Sequence, residues 1–309
     1  MPIQPESVSA GATLGIIAPA SAPTDPQAVE RAVAVLTKLG FKIRFAPNVK
    51  KRNGFLAGTD RERSSDLMRM FSDKKVDAIF CVRGGYGTAR LLPMLDYDLI
   101  RKNAKAFIGF SDITSLHCAF LTQADMISYH GPMLASDIAK ADMPDFTLDS
   151  LSGVLAGTRS SLSDGYKGKT VRTLRKGIAR GQLIGGNLSV FCTVIGTPYQ
   201  PRFKGRILFL EDIDEAPYRF DRMLMHLSNA GLLQQVHGVA IGLNANCEDP
   251  KSRTSKEFRQ SLEDVLRERL LPLKVPVVIG LPFGHVPING TLPVGMDVVL
   301  DADRGELSW

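Results

Sequence analysis

The sequence predicts an α/β fold in two domains, the first built on a parallel β-sheet with helices on both faces. In the first half, short apolar runs alternate with segments of helical periodicity, which implies βαβ units. The chain has 309 residues, long for a single hydrophobic core. Between about residues 137 and 180 both periodicities give way to short polar pieces such as "AGTRSSLSDGYKGK", and the connection between domains is placed there.

Each element has a local reason. "TLGIIAP" (13–19) is an apolar strand ended by Pro19, and residues 25–40 read as a helix with Pro26 near its start and Gly40 at its end. "FKIRFAP" (41–47) alternates like a strand, and 59–73 is helical with Thr59 as its N-cap. "VDAIFCV" (76–82), "AFIGF" (106–110) and "DMISYHG" (125–131) complete the strands of the first sheet. The second half resumes with 181–198 and the strand "GRILFLEDIDE" (205–215), followed by a helix over 217–231. A strand at 236–243, a helix at 255–270 and a strand at 274–285 come next, and a hairpin closes the chain after residue 290. This divides the chain into residues 1–155, a linker at 156–178 and a second domain at 179–309.

Composition narrows the function. Hydrophobic residues are 44% and charged residues 23%, which is globular and excludes disorder and coiled coil. The net charge of +6 is spread along the chain, the densest cluster being Lys50, Lys51 and Arg52. Such a diffuse excess suits anionic small molecules and not a nucleic-acid partner, which would concentrate charge on one face. Cys81, Cys118, Cys192 and Cys247 form no C-x-x-C pair and read as reduced thiols. No basic region precedes the first apolar run, and no segment reaches the ~18 apolar residues of a membrane span. A cytoplasmic protein without a membrane partner is the expectation.

Chemistry centres on "FIGFSDITSLH" (107–117), where a strand should turn into a helix at Ser111. A serine there is exposed at the sheet edge beside unpaired helix N–H groups, as in the G-x-S-x-G elbow of hydrolases. The second glycine is missing, so taken alone this stretch favours Ser111 as a helix N-cap, with Asp112 a favourable charge in the first turn. "CVRGGYGTARLL" (81–92) places Gly84 and Gly85 directly after a buried strand, which suits an oxyanion-donating turn and lacks the spacing of a nucleotide loop. In "GLPFGHVPINGTLPVG" (280–295), His285 is the histidine that stands on an irregular loop, as a general base requires. Glu211 and Asp212, after the apolar residues of "ILFLED", are either the carboxylate that orients such a histidine or solvated strand-end charges. No H-E-x-x-H or calcium-loop pattern occurs, so no metal is expected.

The ordered set "GIIAPAS", "VRGGYG", "GFSDIT", "HGPM", "GGNLSV", "FLEDIDEAPYRFDRML" and "GLPFGH" resembles the LD-carboxypeptidases, the muramoyltetrapeptide carboxypeptidase family of serine peptidases that also includes microcin C self-immunity hydrolases. The resemblance covers nearly the whole chain. It implies a flavodoxin-like or amidotransferase-like N-terminal domain and a C-terminal α/β domain containing a small β-barrel. It also implies a triad of Ser111 as nucleophile, Glu211 as orienting carboxylate and His285 as base and acid. The N–H groups of Asp112 and Gly85 would form the oxyanion hole, and the site would lie between the domains. The implied reaction releases terminal D-alanine from murein tetrapeptide in cell-wall recycling, by a dimer, with no metal or organic cofactor. A carboxypeptidase must hold a free carboxylate; Arg83 is the candidate, with a surface ion pair as its alternative, while Tyr86 and Asn187 are expected to line the cleft. Two other readings remain open: cleavage of an aminoacyl-nucleotide amide, and a silent binder of peptidoglycan fragments.

Overall fold

A computed structural model describes residues 1–248 and 259–309. The first sheet contains β1 (Thr13–Ile17), β2 (Lys42–Phe45), β3 (Ala78–Cys81), β4 (Ala106–Gly109) and β5 (Ser128–His130), all parallel, in the order β5-β4-β3-β1-β2. Successive strand residues are buried in two different clusters, Ile16 and Phe80 on one face and Ile17 and Ile79 on the other. That two-sided burial is why these strands read as unbroken apolar runs. The crossovers are α1 (Ala28–Lys38), α2 (Asp60–Ser72), α3 (Tyr97–Lys102) and α4 (Thr114–Gln123). Thr59 caps α2 through a reciprocal pair with Glu62.

Among the described residues the second sheet has seven strands. β7 (Ile178–Asn187), β8 (Ile207–Glu211), β9 (Gly238–Gly242) and β10 (Val277–Leu281) run parallel. β6 (Arg172–Arg175) is antiparallel to β10, while β12 (Asp297–Asp301) and β13 (Glu306–Ser308) add antiparallel strands beyond β7. The implied small barrel takes the form of a curled half-barrel, in which the Thr173 hydroxyl of β6 donates to the Ala302 carbonyl just beyond β12. The helices α6 (Leu188–Thr193), α7 (Pro217–Asn229) and α8 (Leu262–Leu270) pack into a cluster with Leu208, Leu210 and Val239. The helix expected at 255–270 begins, within the described residues, at Leu262 with Ser261 as its cap; residues 255–258 lie outside them.

Three elements depart from the sequence reading, one being β6, which lies in the stretch read as a linker. The stretch read as a patternless connection contains a helix, α5 (Asp145–Leu155), whose buried face mixes Leu151, Val154 and Leu155 with the polar Thr147 and Ser150. The chain end is more than a hairpin: β12 and β13 pair with each other, but β11 (Leu292–Val294) crosses to the first sheet and runs antiparallel to β5. The loop that carries His285 is therefore anchored in one sheet at its start and in the other at its end.

Among the described residues no helix is long and apolar enough to cross a membrane. All four cysteines are free, and three are buried.

Candidate active site

The carboxyl ends of β4, β8 and β10 meet at one place, the usual location of a site in parallel sheets. After β4 the chain turns sharply, and Ser111 takes a left-handed backbone conformation with φ 63°. A non-glycine residue is strained there, and such strain collects at functional positions. Ser111 caps neither the short turn it begins nor α4. Its Oγ instead lies 2.9 Å from His285 Nε2. His285 Nδ1 lies 2.7 Å from Oε2 of Glu211, the last residue of β8. Glu211 is fully buried, and the imidazole packs on Phe110 with ring centroids 4.8 Å apart.

Electrostatics follow from this burial. Desolvation depresses the His285 pKa, but the hydrogen bond and charge of Glu211, with the charges of Asp137 and Asp212, outweigh it and hold the pKa above the ordinary imidazole value. Glu211 also fixes the tautomer, since with Nδ1 committed as donor, Nε2 is left to accept a proton from Ser111. Gly284 is required beside this pair. Its φ is +120°, and a Cβ there would stand 2.6 Å from the Leu243 carbonyl and 3.1 Å from Glu211 Oε2.

The glycine turn after β3 closes the other side. A Cβ on Gly84 would stand 3.0 Å from Ser111 Cβ and 3.3 Å from the Asp112 nitrogen, so the missing side chain keeps this space open. The Gly84 carbonyl accepts from Ser21 N–H at 3.2 Å. Because the peptide is planar and trans, the Gly85 N–H points the opposite way. Neither the Gly85 nor the Asp112 amide donates to a protein acceptor among the described residues. Two free amides beside a serine hydroxyl can hold a developing oxyanion.

Several residues that hold this geometry escaped the sequence reading. Arg63 is fully buried, donates to the Pro19 carbonyl and, at 2.9 Å, to the Gly87 carbonyl, and pairs with Asp60 at 2.6 Å. Thr88 binds Asp112 twice, through N–H to the carboxylate at 2.9 Å and through its hydroxyl to the carbonyl. The Asp112 side chain thus ties the glycine turn to the serine corner. Ser21 Oγ accepts from the Tyr86 amide at 3.2 Å, which gives "GIIAPAS" a physical role as the bed of the turn. A buried arginine reads in sequence as one more solvated charge on a helix.

The expected substrate-binding residues separate. Arg83 is half-buried beside the turn, donates to the Ala22 carbonyl at 3.3 Å and has no carboxylate within ion-pair distance among the described residues. Tyr86 is 51% exposed, with its ring 5.5 Å from Phe55. Asn187 is not brought to the surface with them: it is buried, donates to Asp212 at 2.9 Å and accepts from Val190 N–H as the cap of α6. Asp212 is likewise internal, and burial raises its pKa to about 6. His117 is buried between the Ser128 hydroxyl and the Gly109 carbonyl, and desolvation brings its pKa to about 4. No three His, Cys, Asp or Glu side chains group as a metal site among the described residues.

Comparison with known proteins agrees with this architecture. The LD-carboxypeptidase N-terminal domain matches residues 14–131, and the LD-carboxypeptidase C-terminal domain matches residues 180–300. The probable murein peptide carboxypeptidase of Bacillus subtilis is 37% identical over 298 residues, covering 96% of this chain and 91% of that protein. The chain belongs to the LD-carboxypeptidase family. The muramoyltetrapeptide carboxypeptidase of Oxalobacter formigenes superposes with a TM-score of 0.84 at 32% identity, covering 96% of this chain and 97% of that one. The microcin C7 self-immunity protein MccF, in complex with aspartyl sulfamoyl adenosine, superposes with a TM-score of 0.86 at 25% identity, covering 99% and 98%. The LD-carboxypeptidase family is one of peptidases, and this chain is a hydrolase of that kind with a mixed α/β fold.

Proposed function

We propose that the chain is a serine-type LD-carboxypeptidase that removes the terminal D-alanine of murein tetrapeptide by hydrolysing its amide bond to an L-centre. The observation that carries this reading is the hydrogen-bonded chain from Ser111 through His285 to Glu211, at 2.9 and 2.7 Å. In the first step the Ser111 hydroxyl proton passes to His285 Nε2 as Oγ attacks the amide carbonyl carbon. The oxygen that becomes negative is received by the Asp112 and Gly85 N–H groups. His285 then gives the proton to the departing D-alanine nitrogen, leaving an acyl-serine. Water, deprotonated by the same imidazole, releases the peptide and restores the hydroxyl.

Arg83 takes the substrate's terminal carboxylate in this reading, because its guanidinium is uncommitted to any carboxylate among the described residues and adjoins the oxyanion turn. Tyr86 lines the entrance. The chain acts in the cytoplasm as a homodimer on peptides from cell-wall turnover, with no metal or organic cofactor. The names of the Bacillus and Oxalobacter relatives favour this substrate.

A second reading, hydrolysis of an aminoacyl-nucleotide amide, is favoured by the likeness to MccF and by the exposed Phe55–Tyr86 pair, on which a base would stack. The two are separated by assaying D-alanine release from murein tetrapeptide beside amino-acid release from an aminoacyl-nucleotide amide. The murein reading requires the first to be the faster by kcat/KM, and the reverse order would replace it with the second.

A further inference from the structure

A carboxylate that fixes a histidine must itself be held, and Glu211 is held on one side only. Oε2 is bonded to His285, whereas Oε1 is buried without a protein partner among the described residues. A buried, unpaired carboxylate oxygen is costly and calls for a donor.

The candidate donor lies four residues beyond His285. Asn289 is fully buried, and its Oδ1 accepts the Gly284 N–H at 3.2 Å. That bond fixes which end of the carboxamide is oxygen, since an amide nitrogen cannot accept from an N–H. Nδ2 is thereby a buried donor with no protein partner among the described residues. Gly284 adjoins both side chains: its N–H donates to Asn289 Oδ1 at 3.2 Å, and a Cβ on it would stand 3.1 Å from Glu211 Oε2. The loop is also anchored from outside. The Asn289 N–H donates to Thr147 Oγ1 at 3.0 Å, Thr147 donates onward to the Pro287 carbonyl at 2.8 Å, and the Thr291 N–H donates to Ser150 Oγ at 2.9 Å. Both anchors belong to α5, the helix whose buried face mixes apolar and polar residues. Their polarity is explained by this contact, because each polar group meets a loop amide or carbonyl that would otherwise be buried unpaired.

We propose that Asn289 is a positioning residue that supplies the missing donor to Glu211 Oε1 through one buried water, and so holds the carboxylate in line with His285. The inference rests on the triad reading above. Donors behind a ligating carboxylate or histidine change activity by about 10- to 100-fold when removed, and the same order is expected here.

The deciding variant is Asn289→Asp, which keeps the acceptor for Gly284 N–H, removes the donor and sets a second carboxylate near Glu211. It should lower kcat for D-alanine release about 10- to 100-fold at unchanged KM. The added negative charge should also move the His285 imidazole titration, followed by NMR without substrate, to higher pH. Asn289→Ser, smaller but still able to donate, should retain more activity than Asn289→Asp. If Asn289 served only to hold the loop, the order would reverse, the aspartate behaving as wild type; wild-type kcat and an unmoved titration in Asn289→Asp overturn the inference. Should Asn289→Asp not fold, Asn289→Ser against Asn289→Ala carries the same contrast: serine must exceed alanine in kcat, and equality contradicts the proposal. Absence of D-alanine release by the wild-type enzyme would instead count against the substrate reading, since the imidazole titration is read independently.

Discussion

The Oγ of Ser111 lies 2.9 Å from Nε2 of His285, although 174 residues separate the two in the chain. The serine follows a strand of the first sheet and the histidine follows a strand of the second, so the relative placement of the sheets sets this distance. β11 contributes to that placement, because the histidine loop leaves β10 in one sheet and enters β11 in the other, and the Asn187 N–H donates across to Thr114 Oγ1 at 3.0 Å.

Ser111→Ala removes the nucleophile without touching a cap or a buried hydrogen bond other than that to His285. Turnover should be lost and the melting temperature nearly unchanged. Ser111→Gly is informative about strain. Glycine ordinarily costs about 0.5–1 kcal/mol against alanine in a regular element, but at φ 63° an alanine carries about 1–2 kcal/mol of left-handed strain. Denaturant unfolding should therefore find the glycine variant at least as stable as the alanine variant.

The His285 pKa is raised above its ordinary 6.5, and catalysis needs the neutral imidazole. Activity should therefore rise with pH through a value above 6.5. Stability moves the opposite way: the protonated imidazole favours the fold below its unfolded pKa, and that contribution is lost as pH rises through the folded one. Glu211→Gln removes the charge that raises the pKa, so the acid limb of the kcat/KM profile should move to lower pH. The rate at the plateau should fall by roughly 10²–10⁴-fold from loss of the tautomer lock. An acid limb that stays in place would show that Glu211 does not set the imidazole pKa.

Gly84→Ala places a methyl carbon 3.0 Å from Ser111 Cβ and 3.2 Å from Oγ, in the space where the proposed mechanism puts the oxyanion. A fall in kcat of about 10²–10³-fold, the usual effect of removing an oxyanion donor, with a small change in KM, is the expected kinetic signature. Intact near-UV circular dichroism would separate this from unfolding.

Arg83→Met tests carboxylate recognition. KM for a substrate with a free terminal carboxylate should rise tenfold or more, in line with about 1.5–3 kcal/mol for a charge-assisted hydrogen bond. A substrate amidated at that carboxylate should bind the two enzymes alike. Equal sensitivity of both substrates would assign Arg83 to structure.

Much of the fold was legible because physics acts locally there. The strand runs 76–82 and 106–110 are apolar on both faces, and Thr59 with Glu62 forms a cap that a short window reveals. The candidate site was legible as residue types at element ends, which the fold brings together: Ser111 after β4, Glu211 closing β8, His285 after β10. What stayed hidden depends on partners distant in sequence. In α5 the apolar stripe of Leu151, Val154 and Leu155 is interrupted by Thr147 and Ser150, which face a loop about 140 residues away. Arg63 looks solvated because the carbonyls it binds, Pro19 and Gly87, belong to other segments. Asn187 looked like a cleft residue because nothing in "GGNL" discloses that its amide faces Asp212.

The most direct test of the central claim is release of free D-alanine from murein tetrapeptide by the wild-type chain and by Ser111→Ala, each with and without a chelator. The account predicts release by the wild type alone, unaffected by chelator. Release that persists in Ser111→Ala, or that stops when the chelator is added, would contradict a serine mechanism.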